Sequence, residues 1–176
     1  MDRIGTANTR LVVLRGNSGS GKSALAASLR DRFDSGAALI QQDYLRRVVL
    51  SERESATADN ISLIDEVTRF CLSRGRNVIL EGIFNASRYG RMLEKLARDH
   101  AGRTGFFAYD LTFEETLARH RTRPQAAKFG AEEMRAWYHG WQPLRFVREG
   151  RLLSTMSVDT AADAVVHQLE SAATAQ

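Results

Sequence analysis

Eight residues constrain this chain more than any others. Gly16-Asn17-Ser18-Gly19-Ser20-Gly21-Lys22-Ser23 follows directly on the apolar run Leu11-Val12-Val13-Leu14 and Arg15. The run is β-branched at its centre and reads as a buried strand, and the glycines after it let the backbone turn tightly. Beyond them Leu25 and Leu29 stand four apart and Phe33 continues the stripe, which predicts a helix over 22–33. Strand, glycine-rich turn and helix in that order converge N–H groups on an anion at the positive end of the helix. The spacing G-x-x-x-x-G-K-S makes that anion the phosphate tail of a nucleoside triphosphate. Lys22 is placed to reach the β- and γ-phosphates, and Ser23 to offer its hydroxyl to Mg²⁺. A glycine-rich turn with a surface lysine is the other reading, and it leaves the flanking strand and helix unexplained.

The rest of the chain repeats the alternation of short apolar runs and longer amphipathic segments. Strands are expected at 38–41, 77–80, 105–109 and 152–156. Helices are expected at 57–74, 87–100 and 131–139, and from Thr160 onward. Thr112 and Glu115 have capping-box spacing for a short helix through Leu117. Strands alternating with helices predict an α/β fold, a parallel sheet with helices on both faces. In such sheets ligands sit beyond the C-terminal ends of the strands, so residues just after each strand are the candidates for chemistry.

At 176 residues, with 43% hydrophobic and 26% charged, the chain suits one globular domain and not a disordered or fibrous one. It has no apolar run near the ~20 residues of a membrane span and no secretory signal pattern. Cys71 is the lone cysteine, which excludes an internal disulfide; it lies in a helical apolar stripe as core. A soluble cytoplasmic protein is the expectation. Of the 25 cationic residues only Lys22, Lys95 and Lys128 are lysines, and the arginines are dispersed along the chain. That pattern suits an anionic ligand and does not by itself favour nucleic acid.

After the second strand comes Asp43, followed by Arg46 and Arg47. Asp43 is placed either to take a proton from an acceptor hydroxyl or to cap the next helix; Arg46 and Arg47 either bind acceptor or phosphate or form a solvated face. The third strand delivers Glu81, which either holds the Mg²⁺ shell, contacts the acceptor, or merely emerges at a strand end. Asn85 and Arg88 follow at the same mouth. Arg119, Arg121 and Arg123, with His120 among them, form a cationic run ending at Pro124. Such a segment is either a lid that closes over nucleotide phosphates or a solvated helix end. His120 has no ligand-spaced partner, and Trp137, Tyr138 and Trp141 read as packing residues that can also border an acceptor pocket.

With these residues the sequence resembles the small P-loop kinases, the group holding nucleoside-monophosphate-kinase-like enzymes, gluconate and shikimate kinases, chloramphenicol phosphotransferase and zeta toxins. The resemblance implies a P-loop NTPase fold, a five-stranded parallel sheet in order 2-3-1-4-5 with a short arginine-rich lid at about 119–131, as one domain over 1–176. It implies that Gly16, Asn17, Ser18, Gly19, Ser20, Gly21, Lys22, Ser23 and Arg121 bind ATP, and that Ser23 and Glu81 serve Mg²⁺. It further implies that Lys22, Asp43, Arg119 and Arg123 are catalytic, with Asp43, Arg46, Arg47, Glu81 and Arg88 on the acceptor side. Ser157-Val158-Asp159-Thr160 looks like the loop that borders adenine. Glu81 stands where many relatives have aspartate.

The function expected is an ATP-dependent kinase acting on a hydroxyl of a small molecule such as a nucleoside, a sugar or an antibiotic-like acceptor. The alternatives are a nucleotide-dependent switch or partner-binding ATPase, which acceptor-independent hydrolysis would mark, and a polynucleotide 5′-hydroxyl kinase. Salt-dependent oligonucleotide binding would mark the last.

Overall fold

The computed structural model describes residues 3–33, 36–52, 59–121 and 129–171. Five strands, β1 (Arg10–Arg15), β2 (Ala37–Gln41), β3 (Asn77–Gly82), β4 (Arg103–Tyr109) and β5 (Gly150–Leu152), form one all-parallel sheet in order β2-β3-β1-β4-β5. The helices are α1 (Lys22–Arg32), α2 (Gln42–Tyr44), α3 (Asp59–Ser73), α4 (Ala86–Asp99), α5 (Phe113–Arg121), α6 (Ala131–Trp137) and α7 (Val158–Ser171). This is the P-loop kinase fold that the resemblance implied.

Side chains alternate across a strand, so each strand feeds two cores. Val12, Leu14, Ile79 and Phe107 face α1 and α7, where Leu25, Leu29, Ala162, Val165 and Leu169 meet them. Leu11, Val13, Val78, Leu80 and Phe106 point the other way, onto Ile64 and Leu72 of α3 and Tyr89, Leu93 and Leu96 of α4. Cys71 packs against this second cluster, as its place in the apolar stripe predicts. No described helix is long and apolar enough to cross a membrane.

Several boundaries differ from the sequence expectation for local reasons. The fifth strand is Gly150–Leu152 and not 152–156, because Tyr109, the last residue of β4, pairs with Leu152 and leaves nothing to continue the ladder. Met156 N–H instead closes a turn on Leu153 O at 3.1 Å. The last helix starts at Val158, before Thr160, since Ser157 Oγ accepts from Thr160 N–H at 3.0 Å. Thr112 and Glu115 form the reciprocal capping box, and its helix runs past Leu117 to Arg121. Helix α2 runs into a π-helical turn, Leu45–Val49, in which Leu50 N–H reaches back five residues to Leu45 O.

At the opposite end of the sheet from the phosphate loop, His100 is buried between two threonines. Thr9 spends its hydroxyl proton on Thr6 O at 2.7 Å, so Nε2 of His100 is the donor to Thr9 Oγ1 at 2.9 Å. Nδ1 then accepts from Thr104 Oγ1 at 2.8 Å, and the ring is held neutral. Burial, with a smaller contribution from Arg3, pushes its pKa down to about 4. The unfolded chain takes up this proton near 6.5, so the native state loses stability as pH falls from about 6.5 to about 4. Discounted for solvent screening, the loss is about 2 kcal/mol. Urea denaturation at pH 7 and pH 5 should show that loss in the wild type, and His100→Gln should flatten the slope.

Candidate active site

The phosphate loop turns where its glycines allow it. Gly19 has φ +80° and Gly21 φ +109°, and a Cβ at Gly19 would lie 2.7 Å from Thr116 O. Gly21 precedes α1 with no side chain capping the first turn and no acidic residue in that turn. The eleven-residue helix therefore presents its positive end to the loop without a competing carboxylate of its own. Lys22 is buried, and its Nζ donates to Asn17 O at 2.9 Å and to Ser20 Oγ at 3.4 Å. The Asn17 side chain faces the other way. Its Oδ1 accepts from His139 N–H at 2.9 Å and its Nδ2 donates to Gly140 O at 3.3 Å.

Sheet register assembles the acidic part of the site. Gln41 and Leu14 both pair with Glu81, so the C-terminal ends of β2, β3 and β1 stand level, with the phosphate loop just above. Glu81 Oε1 accepts from Ser23 Oγ and from Gln41 Nε2, each at 2.9 Å. A hydroxyl and a carboxylate, both hard oxygen donors, meet beside the phosphate loop, and that set suits Mg²⁺, which takes few protein ligands and completes its shell with phosphate and water. Glu81 is 6% exposed, so its carboxylate is part of the interior and not a solvated strand end.

Asp43 lines the same cavity, of about 540 Å³, and lies in the first turn of α2 while Gln41 holds the cap position. Its Oδ1 receives Arg46 Nη2 at 3.1 Å and Arg47 Nε at 2.7 Å, and no described residue contacts Oδ2. Arg46, Arg47, Glu81, Asn85, Ser18, Gly19, Gly21, Lys22 and Ser23 all line the same space. Asn85 also caps α4, accepting from Ser87 N–H at 3.0 Å. Gly16, Asn17, Ser20, Arg88, Arg119 and Arg121 are not among the lining residues. Arg119 sits behind the loop, where its guanidinium donates to Ser20 O at 2.6 Å and Ser154 O at 2.8 Å and lies over the Tyr109 ring. Arg121 is exposed at the end of α5, and Arg123 lies outside the described residues, as do residues 122–128 of the lid expected at about 119–131. The contacts described for Ser157 and Thr160 are those of a helix cap.

Trp137 lines the cavity, as the sequence reading allowed, but several other residues that shape it were given no such role. His120 is buried, stacks on Phe129 at 4.5 Å and makes a hydrogen bond to Phe129 O at 2.9 Å. Phe129 meets Trp137 edge-on, and Arg47 lies over the Trp137 ring, so the wall contributed by α2 and its π turn touches the one contributed by α6. Gln42, Glu52, Phe84 and Tyr89 also line the cavity. Only the position of Gln42 just after a strand could have pointed to it. Phe84 and Tyr89 come from a loop and a helix distant in sequence.

Arg15, the last residue of β1, ties these loops together. It donates to Phe84 O through Nε at 3.1 Å and Nη2 at 3.0 Å, to Gln142 O at 2.9 Å, and pairs with Glu149 at 2.5 Å. Phe84 itself holds a left-handed backbone at φ +38°, unusual for a bulky residue.

Compared with known proteins, residues 11–141 match the model of the family described as an AAA domain. No curated protein matches in sequence. Among solved structures, the APS kinase of Mycobacterium tuberculosis in complex with AMPPNP and APS superposes with a TM-score of 0.68 at 22% identity, over 96% of this chain and 99% of that one. A sugar kinase from Janibacter sp. gives 0.64 at 16% identity, over 92% and 95%. A gluconokinase from Sinorhizobium meliloti gives 0.62 at 16% identity, over 97% of each. These likenesses establish a shared fold across nearly the whole length.

Two substitutions test the assembly of the site. Gly19→Ala puts a Cβ against Thr116 O in a left-handed conformation that costs about 1 kcal/mol by itself, so ATP affinity should fall at least about tenfold in a titration calorimetry measurement. Arg15→Met leaves Glu149, whose side chain is 1% exposed, buried without its cation and holding only the Leu144 N–H. It should destabilise the fold by about 3–5 kcal/mol in urea, with part of that recovered in Arg15→Met/Glu149→Gln.

Proposed function

The chain belongs to the AAA domain family, matched over residues 11–141, and from that premise we propose that it is an ATP-dependent kinase transferring the γ-phosphoryl group to a hydroxyl of a small molecule. One observation carries this reading. One cavity of about 540 Å³ is lined both by Lys22, Ser23 and Glu81 and by Asp43, Gln42, Phe84 and Trp137, and so offers lining beyond the phosphate-binding residues for an acceptor. The kinases of similar fold bear on it only through the architecture they share.

On this reading the N–H groups of the phosphate loop and the start of α1 hold the phosphates, with the Lys22 ammonium beside them. Ser23 and Glu81 hold Mg²⁺, which when bound neutralises charge on the transferring group. Asp43 Oδ2 accepts the proton of the acceptor hydroxyl as its oxygen bonds to the γ-phosphorus and the bond to the β-phosphate oxygen breaks, leaving ADP. Arg46 and Arg47 hold Asp43 by Oδ1, which leaves Oδ2 for the acceptor hydroxyl. Arg119 acts on the phosphate loop by holding Ser20 O, and so positions it.

The test is ATP consumption with Mg²⁺ across a panel of hydroxyl acceptors, comparing the wild type with Asp43→Ala. Acceptor-dependent turnover should fall about 10²–10⁴-fold in the variant while ATP affinity stays within about threefold. Acceptor-independent hydrolysis, equal in both proteins, would sink the kinase reading and favour a nucleotide switch.

A further inference from the structure

A chain of hydrogen bonds with a fixed direction runs along the cavity lining and ends in an acceptor that the protein leaves unused. It starts at Glu52, whose Oε2 takes the backbone N–H of Asn60 at 3.0 Å and its side-chain Nδ2 at 2.9 Å. A carboxylate oxygen only accepts, so the Asn60 amide turns its nitrogen to Glu52 and its Oδ1 to Tyr89. Tyr89 gives its phenol proton to Asn60 Oδ1 at 2.8 Å. The Tyr89 oxygen then takes Gln42 Nε2 at 3.1 Å. Each link sets the next, and the Gln42 amide is left with Oε1 at the free end of the chain.

That Oε1 has no hydrogen-bond partner among the described residues, and it is not sealed from solvent. Gln42 is 6% exposed and lines the cavity, so its small open surface belongs to that space. The side chain is held as well as oriented. A Cβ on Gly82 would lie 2.6 Å from Gln42 Cβ, so the two residues pack this closely only because Gly82 has no side chain. The Tyr89 ring stands edge-on to Phe84 at 5.2 Å, and Arg15 pins Phe84 O through Nε and Nη2. An acceptor preset in this way needs no ordering when a ligand arrives. A largely buried carbonyl oxygen is also left short of a hydrogen bond unless a ligand donor meets it.

Gln42 immediately precedes Asp43, and both line the same cavity. We propose, resting on the kinase reading above, that Gln42 is a specificity-determining residue whose Oε1 accepts a hydrogen bond from a second donor on the acceptor, a hydroxyl or N–H other than the hydroxyl that is phosphorylated. The substrate class is then diols, polyols and amino alcohols, and a molecule lacking the second donor is a poor acceptor. An amide oxygen carries no net charge, so it selects by the donor and not by the charge of the molecule that bears it. Gln42 takes no part in the transfer; it sets which molecule presents its hydroxyl to Asp43.

The experiment gives the full chain, Gln42→Met and Tyr89→Phe a panel of sugars, cyclitols, nucleosides and amino sugars with ATP and Mg²⁺, each beside its single-deoxy and deamino counterparts. For an acceptor that turns over in the wild type, one counterpart should lose at least about tenfold in kcat/KM; a deoxy counterpart marks a hydroxyl as the second donor, a deamino counterpart an N–H. In Gln42→Met the KM of the parent acceptor should rise at least about tenfold while that of this counterpart, kcat and ATP KM stay within about threefold. A merely damaged wall raises both acceptors' KM alike. Tyr89→Phe keeps the ring against Phe84 but releases the Gln42 amide, and should raise the parent's KM selectively by a smaller factor. Counterparts all used as well as the parent, or a Gln42→Met variant that penalises parent and counterpart alike, overturns this inference and leaves the kinase reading standing. ATP consumption that no acceptor raises overturns both.

Discussion

Glu81 Oε1 receives Ser23 from the first turn of α1 and Gln41 from the end of β2, both at 2.9 Å. Those contacts require three strand ends to finish at the same height, which the parallel register of β1, β2 and β3 ensures. A slip of one residue in β3 would turn Glu81 to the other face of the sheet and replace it with an apolar neighbour. The hydrophobic alternation that buries Ile79 on one face and Val78 and Leu80 on the other forbids such a slip. Packing of the two cores thus sets the position of a carboxylate that belongs to neither.

The loops above the sheet are held by polar contacts made within the interior. Arg15 gathers Phe84 O, Gln142 O and Glu149, and Asn17 gathers the backbone at His139 and Gly140. Both residues sit at or next to the phosphate loop, so the segment after β3 and the segment after α6 are referenced to the same short stretch. A buried ion pair is rarely a net gain over a well-packed apolar pair, but once made it enforces one geometry because either half alone is costly. Here the enforced geometry is the mouth of the cavity.

The phosphate loop, the strand before it and the helix after it were legible because their signal is local. Glycine spacing, Lys22 and Ser23 act within eight residues of one another. Asp43 could be found from its place just after a strand, Glu81 from its place at the end of an apolar run, and Thr112 with Glu115 from capping-box spacing. The short edge strand at Gly150–Leu152 was misplaced, since its extent depends on where β4 ends and not on its own apolar run. Arg119 shows the limit of reading charge from a cluster. Its guanidinium braces Ser20 O and Ser154 O from behind, a role set by how α5 docks on the loop.

The sequence by itself determined the fold class, the phosphate-binding element and the two acidic positions flanking it, because periodicity and short spacing are enough to specify a strand, a turn and a helix start. Tertiary structure alone decided the hydrogen-bonded wall of the cavity. Gln42, Glu52 and Tyr89 come from three separate segments, and Asn60 from a fourth, and their hydrogen bonds exist only once α3 and α4 pack on one face of the sheet. Whether Arg46 is a free cation or a committed one likewise depends on the turn that brings Asp43 within 3.1 Å. Side-chain partnership is a matter of distance in space, and a chain position carries no measure of it until the cores have closed.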